Sequence, residues 1–251
     1  MYDDLAAYYH LIFENWDASI ARQAAALGRL IESACGKAPL RILDAACGIG
    51  TQAIGLAMRG HAVTGSDLSA AAVARARAET AARGLVVPCY TSDLRDLRGV
   101  PGAPFDAVVI ADNALAHLPA EADVGQAAAS AARVLGRGGI LLATIRDYDT
   151  LARERPTFHG PAFYQDAGRR RIVHQVWDWT GERRYVMHLY ITRETADGWE
   201  SHHFHSEFHA MPRGMLTHAL EEAGFAAVRW IEPAESGYYQ PVVLGRLAVR
   251  P

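Results

Sequence analysis

From residue 40 to residue 146, short apolar runs alternate with alanine-rich stretches of helical length, and this alternation constrains the fold more than any other feature. The runs are Leu40 to Ala45, His61 to Ser66, Val86 to Tyr90, Phe105 to Ile110 and Gly139 to Arg146. Their β-branched content favours buried strands over buried helix. Between them Thr51 to Met58, Ala70 to Arg83 and Ala122 to Leu135 are rich in strong helix formers. Gly60, Gly84 and Gly136 stand where a left-handed cap would stop each helix. The predicted class is therefore α/β: a Rossmann-like, seven-stranded, mostly parallel sheet with helices on both faces.

Outside this region the period changes. Residues 4 to 33 read as one or two amphipathic helices carrying Tyr8, Tyr9, Phe13 and Trp16. Ile172 to Trp179, Arg184 to Thr192 and Glu200 to Phe208 are β-rich and separated by the turn signals Thr180-Gly181 and Asp197-Gly198, which predicts an antiparallel flap inserted after the fifth strand. A helix from Pro212 to Ala223, a strand from Ala227 to Ile231 and a last strand from Pro241 to Val249 would return the chain to the main sheet. A chain of 251 residues, half of them hydrophobic, suits one domain with an insertion. It divides into a helical lid (1–36), a ligand-binding core (37–146), the flap (147–210) and a C-terminal part of the core (211–251).

Charge narrows the partners. A net charge of -3 gives no concentrated basic surface, so neither nucleic acid nor an anionic membrane is expected to bind. The basic run Arg169-Arg170-Arg171 reads as a solvated turn. Cys35, Cys47 and Cys89 leave an odd one under any pairing and lack the spacing of a zinc site, which fits a reducing compartment. The acidic, aromatic amino terminus lacks the order of a secretory signal and no apolar run reaches membrane-spanning length, so a cytoplasmic protein is expected, with association of like chains left open.

In Leu43-Asp44-Ala45-Ala46-Cys47-Gly48-Ile49-Gly50-Thr51 an apolar strand ends in an aspartate and passes through a glycine turn into a helix. Such a turn lets backbone approach a ligand and aims free helix N–H groups at it. Alone, Gly48-Ile49-Gly50 followed by Ala53 would equally begin a dinucleotide site. Asp67 closes the next strand, where a carboxylate can accept both ribose hydroxyls, and Asp93 follows the third. A lone strand-end aspartate is more often a helix cap. Three in sequence, at the sheet edge where α/β proteins bind ligands, point to a nucleoside.

With these residues the order of elements resembles that of class I S-adenosylmethionine methyltransferases, and Asp44 ahead of the glycines separates it from a nicotinamide fold. The resemblance implies S-adenosylmethionine as cofactor. It implies that Asp44, Ala46, Gly48 and Gly50 border the methionine part, that Asp67 holds the ribose, that Leu68 packs on the adenine and that Asp93-Leu94 reads the adenine edge. Ala46 departs from the glycine common there. Ala111-Asp112-Asn113-Ala114-Leu115-Ala116-His117-Leu118 and Arg146-Asp147-Tyr148-Asp149 resemble the glycine and sarcosine N-methyltransferase branch. That likeness implies Arg146 as partner of an amino-acid carboxylate, Asn113 at the substrate, Ala111 and His117 beside the cofactor, Arg22 on the cofactor carboxylate, and Tyr2 and Tyr239 closing the transfer site.

A sulfonium is already an activated electrophile, so positioning a neutral amine and excluding water can account for up to roughly 7 to 11 kcal/mol without a strong base. The expected acceptor is the nitrogen of glycine, sarcosine or a related amine; the rivals are O- or C-methylation of another metabolite and a module that binds the cofactor without turnover. Two features stand aside from this. His202 to His209 alternates so that His203, His205, Glu207 and His209 share a face, an arrangement a metal could use and a polar strand face also explains; no metal is expected. Asp178 between Trp177 and Trp179 offers an aromatic cage, although such tryptophans are more often core.

Overall fold

The computed structural model describes residues 2–249. Its N-terminal segment holds α1 (Tyr2–Leu5), a 3-10 turn (Tyr9–Ile12) and α2 (Trp16–Cys35). The long helix starts because Asn15 Oδ1 accepts the Ala18 N–H at 2.9 Å and stops at Gly36, left-handed with φ 66°. Then come β1 (Arg41–Asp44), α3 (Thr51–Met58), β2 (Ala62–Asp67), α4 (Ala70–Ala82), β3 (Cys89–Thr91), β4 (Phe105–Ile110), α5 (Glu121–Val134) and β5 (Leu135–Thr144).

The chain continues through α6 (Tyr148–Glu154) and four strands, β6 (Phe158–Asp166), β7 (Arg169–Trp179), β8 (Arg184–Thr195) and β9 (Gly198–His209). It ends with α7 (Arg213–Glu222), β10 (Phe225–Ile231), α8 (Pro233–Ser236) and β11 (Val242–Leu247).

Two sheets form, in the orders β10-β11-β5-β4-β1-β2-β3 and β6-β7-β8-β9. In the first, β1 through β5 pair in parallel and only β11 runs against its neighbours. Ile42, Leu43, Val108, Val109, Leu141 and Leu142 are all buried in it, as strands covered on both faces require. Each such side chain contributes about 1.5–3 kcal/mol of burial. The order reverses at β1, with β2 on one side and β4 on the other, so the crevice between these two strand ends lies open to a ligand.

Three local expectations are corrected. Gly60 and Gly84 are left-handed (φ 89° and 66°), but Gly136 is not a helix cap. There α5 runs directly into β5, and the glycines at 136, 138 and 139 form a bulge: Phe105 pairs with Leu135, yet Ala107 pairs with Ile140. Only Gly138 has positive φ, at 68°. The antiparallel sheet has a fourth strand, β6, which the sequence reading omitted because Gly160 and Pro161 interrupt it and its side chains are largely exposed at the sheet edge.

The run Arg169-Arg170-Arg171 is not a solvated turn. Arg170 pairs with Glu194 (2.9 Å), and Arg171 is buried, held by Asp166 (2.8 Å) and donating to the carbonyls of Leu11 and Phe13. The second sheet is thereby tied to the N-terminal segment. Among the described residues no helix is long and apolar enough to cross a membrane.

Replacing this guanidinium by an isosteric apolar chain, Arg171→Met, leaves two carbonyls without donors. The expected loss is about 1–3 kcal/mol of stability, and hydrogen exchange should quicken selectively in residues 2–13; unchanged protection there would show that the tie does not hold the segment.

Candidate functional site

Two cavities meet at the carboxyl edge of the first sheet. The smaller, about 350 Å³, is lined by the glycine turn after β1, by Asp67 and Leu68 after β2, by Ser92 to Arg95 after β3, and by Ala111 and Asp112 after β4. The larger, about 920 Å³, extends under the second sheet and reaches Arg146, Trp177, Phe208 and Tyr239. Tyr2, Tyr9 and Asp112 line both and therefore stand at the neck between them.

The smaller cavity suits a nucleoside. Asp67 accepts the N–H of Gly48 (2.8 Å) and of Ser69 (2.9 Å), which fixes the carboxylate and leaves lone pairs for ligand hydroxyls. Burial raises the pKa of Asp67 above the usual carboxylate range, so hydroxyl donors from a ligand would stabilise its charged form. Leu68, 69% exposed, offers an apolar surface to a base. Gly48 is left-handed (φ 53°) and a Cβ there would meet nothing, so its backbone is bare toward the cavity. Asp93 is held by Arg95 at 2.7 Å, and Arg95 in turn by Asp123 at 2.9 Å.

Most of the residues read from sequence as cofactor contacts lie on this cavity: Ala46, Gly48, Asp67, Leu68, Asp93, Leu94, Ala111 and His117. Three do not. Asp44 is completely buried beneath the turn, both of its oxygens lack a hydrogen-bond partner, and burial pushes its pKa well above the carboxylate range. It pairs in register with Gly65, two residues short of Asp67 on the same face of the sheet, and so lies under the turn near Cys89, Asp112 and Asp67 instead of beyond the sheet edge. Of the three strand-end aspartates, Asp67 and Asp93 line the smaller cavity and Asp44 does not. Gly50 caps α3 at φ 100°, where a Cβ would press on Ile54 at 3.2 Å. Arg22 is exposed and lines the larger cavity with Ser19 and Gln23.

Around the larger cavity Arg146 is half buried. Its guanidinium donates to the Tyr185 hydroxyl (2.8 Å), lies over the rings of Trp177 (4.8 Å) and Phe208 (5.4 Å), and has no carboxylate partner among the described residues. Arginine stays charged at any ordinary pH, so this is an uncompensated cation facing a cavity. Asn113, left-handed at φ 68°, donates to Tyr148 (2.7 Å) and accepts the Arg146 N–H (3.1 Å). It braces the arginine. Tyr148 and Tyr185, also in contact with each other (3.1 Å), complete that support.

Of Tyr2 and Tyr239, both read as closing residues, Tyr2 stands at the neck and Tyr239 lines the larger cavity beside it. The Tyr2 hydroxyl meets His117 Nε2 at 2.6 Å, and His117 Nδ1 lies 3.3 Å from Ser206 Oγ. Burial, with the charge of Arg146, lowers the His117 pKa to about 4, so the imidazole is neutral at pH 7. Tyr239 donates to Asp112 at 2.6 Å.

Sequence reading passed over Tyr9, Asp112, Tyr185, Gln52 and Tyr238. Tyr185 had a signal in the inward alternation with Met187, Leu189 and Ile191. Asp112 lay between two residues already singled out and was skipped.

The set-aside features resolve differently. Trp177 and Trp179 pack on Tyr185 (4.8 and 5.0 Å), whereas Asp178 points to the opposite face, where it pairs with His188 at 3.1 Å; the pleat rules out a cage made by these three. Among the described residues, no group of three or more His, Cys, Asp or Glu converges as a metal requires.

Comparison with known proteins gives the family. Residues 42–139 match a family described as "Methyltransferase domain". A relative from Mycobacteroides abscessus named 2-heptyl-1-hydroxyquinolin-4(1H)-one methyltransferase is 31% identical over 63% of this chain and 67% of its own. A glycine/sarcosine N-methyltransferase of Aphanothece halophytica is 29% identical over 59% and 57%. The chain spans little more than half the length of two further relatives, one from Geobacillus sp. (56%) and YqeM of Bacillus subtilis (57%). Among solved structures, Streptomyces venezuelae DesVI superposes with a TM-score of 0.82 (22% identity, 96% of this chain, 97% of that one). The sugar N-methyltransferase KedS8 from a Streptoalloteichus species superposes at 0.78 (21%, 96% and 92%). At these identities the structures speak to the fold, and the likeness includes the second sheet.

Neutral, half-buried His117 makes stability depend on pH. Its folded pKa lies below the unfolded value near 6.5, so the unfolded state takes up the proton first. Its contribution is whole above about pH 6.5 and is lost as pH falls toward 4, roughly 2–3 kcal/mol in all. Chemical denaturation at pH 7 and pH 4.5 should show a smaller acid loss in His117→Asn than in the native protein; equal losses would mean the imidazole is charged when folded.

Proposed function

The chain belongs to the class I S-adenosylmethionine-dependent methyltransferases, and we propose that it methylates an amine nitrogen of a small molecule held in the larger cavity. The observation that carries this is the two-cavity arrangement: a nucleoside-shaped site and a broad, aromatic-walled one joined at a neck of three side chains. Bound there, S-adenosylmethionine would supply a sulfonium-activated methyl group for transfer to that nitrogen. Asp67, Leu68, Asp93 and Leu94 would hold the adenosine, and the glycine turn the methionine side.

Nitrogen is favoured by the Asn113, His117 and Arg146 segments, by the relative named for glycine and sarcosine, and by the neighbour named as a sugar N-methyltransferase. The size of the cavity argues for an acceptor larger than either amino acid. About 920 Å³ lies at the upper end of the range that accommodates drug-sized ligands, and glycine would leave most of it to water. Arg146, with no internal counterion, suits a carboxylate or other oxygen-rich end of that acceptor in a two-point contact. Tyr148, Tyr185 and Asn113 keep its guanidinium aimed, so little ordering entropy remains to be lost on binding.

Calorimetry should show S-adenosylmethionine binding and no NAD binding; absence of the former ends the methyltransferase reading. Release of S-adenosylhomocysteine should then be screened with glycine, sarcosine, dimethylglycine, amino sugars and phenols, and amines are expected to outpace phenols. For a carboxylated amine found in this way, Arg146→Ala is expected to lower kcat/KM by about 10- to 100-fold, the scale of a lost charge-assisted contact. An unchanged value would remove Arg146 from acceptor binding.

A further inference from the structure

Asp112 is held where few residues would settle. It and Asn113 are successive non-glycine residues at positive φ (55° and 68°), a conformation that costs energy and persists only when the surroundings enforce it. The Asp112 N–H donates to Thr144 Oγ1 (2.9 Å), and Thr144 is itself held by Gln240 (3.0 Å). The strained turn carries the carboxylate out beyond β4 to the neck shared by both cavities.

The company of that carboxylate is neutral. Oδ1 accepts from Tyr238 and Tyr239, and Oδ2 from Gln52 (2.8 Å); none of the ion pairs among the described residues includes Asp112. Three donors occupy three of about four acceptor positions, and the exposed Tyr239 is the one most easily displaced. The negative charge is felt locally: burial first, and Asp112 next, push the phenol pKa values of Tyr9 and Tyr238 well above the ordinary value. An uncompensated anion thus stands at the neck between the two cavities and lines the same larger cavity as the uncompensated cation of Arg146.

We propose that Asp112 receives the ammonium form of the acceptor at the neck and takes one of its N–H protons, a role that rests on the N-methyltransferase reading above. The proton moves from nitrogen to a carboxylate oxygen, the N–H bonding pair becomes the amine lone pair, and the charge of both partners falls to zero. The neutral nitrogen is then left facing the cofactor cavity without having to shed its proton to bulk water before entry. A carboxylate at this point selects amines over isosteric alcohols, since an alcohol brings no charge to offset its desolvation.

The test uses binding, not turnover. With S-adenosylhomocysteine present, 2-phenylethylammonium and its neutral isostere 2-phenylethanol are titrated calorimetrically into the native protein, Asp112→Asn and Asp112→Ser, each checked for an unchanged thermal transition. The native protein should prefer the ammonium by about tenfold or more, as a charge-assisted contact implies, and both variants should lose that preference while the Kd for S-adenosylhomocysteine moves less than about threefold. No preference in the native protein, or a preference kept in either folded variant, overturns the proposal. Loss of S-adenosylhomocysteine affinity in the variants also overturns it, by assigning Asp112 to the cofactor. Failure of the native protein to bind S-adenosylhomocysteine would instead strike the functional reading on which the proposal stands.

Discussion

The reversal of strand order at β1 is the constraint on which the rest of the structure depends. Because β2 leaves to one side and β4 to the other, the segments following these strands diverge and leave a crevice between them. Backbone at the glycine turn is left bare, and Asp67 and Asp112 are carried to opposite sides of the same opening. Every group discussed as a ligand contact is either at this edge or suspended over it. The core beneath, with Ile42, Leu43, Val108 and Leu141 at or near zero exposure, supports that edge with close-packed side chains.

A second layer of order comes from charges that the protein leaves unmatched. About half of its arginines pair with carboxylates among the described residues, mostly on the surface, where such pairs contribute little. Arg146 and Asp112, which face the larger cavity, have no ion-pair partner among the described residues; each is surrounded by neutral hydroxyl, amide or ring groups that orient it without cancelling it. Placing opposite charges apart in one cavity is costly unless a ligand completes them, since a desolvated ion is stabilised chiefly by its partner. The arrangement is intelligible as recognition of a molecule bearing both an amine and an oxygen-rich end.

The central strands and helices were legible because a doubly covered parallel sheet imposes continuous apolar runs and its helices need stops, and both signals are local. Asp67 and Leu68 were legible for the same reason: the residue ending β2 has to project from the edge. Asp44 shows where this logic fails. It also ends a strand, but it pairs with Gly65, two residues short of Asp67, and so stays buried under the turn; sequence gives the end of a strand less accurately than its existence. Gly136 misled in a similar way, because a glycine after a helix serves a cap and a bulge equally, and only the pairing of Leu135 with Phe105 decides between them. Edge strand β6 carries no alternation strong enough to be seen beside Gly160 and Pro161. The polar network of Gln52, Asp112 and Tyr238 joins residues 60 and 126 positions apart, and no periodicity records such contacts.

The second sheet and the N-terminal segment have to be understood together. Neither could roof the larger cavity alone: the sheet lends its inner aromatic face, Trp177, Tyr185 and Phe208, while the segment brings Tyr2 and Tyr9 to the neck. Arg171 joins them by donating to backbone carbonyls of the segment, a contact that depends on chain geometry and not on which side chains the segment carries. Water exclusion at the neck therefore depends on a guanidinium far from it in sequence. A charge buried this deeply is tolerated because Asp166 answers it and two carbonyls use its remaining donors, while Tyr8 of the same segment packs on His202 and under Arg193 of the sheet.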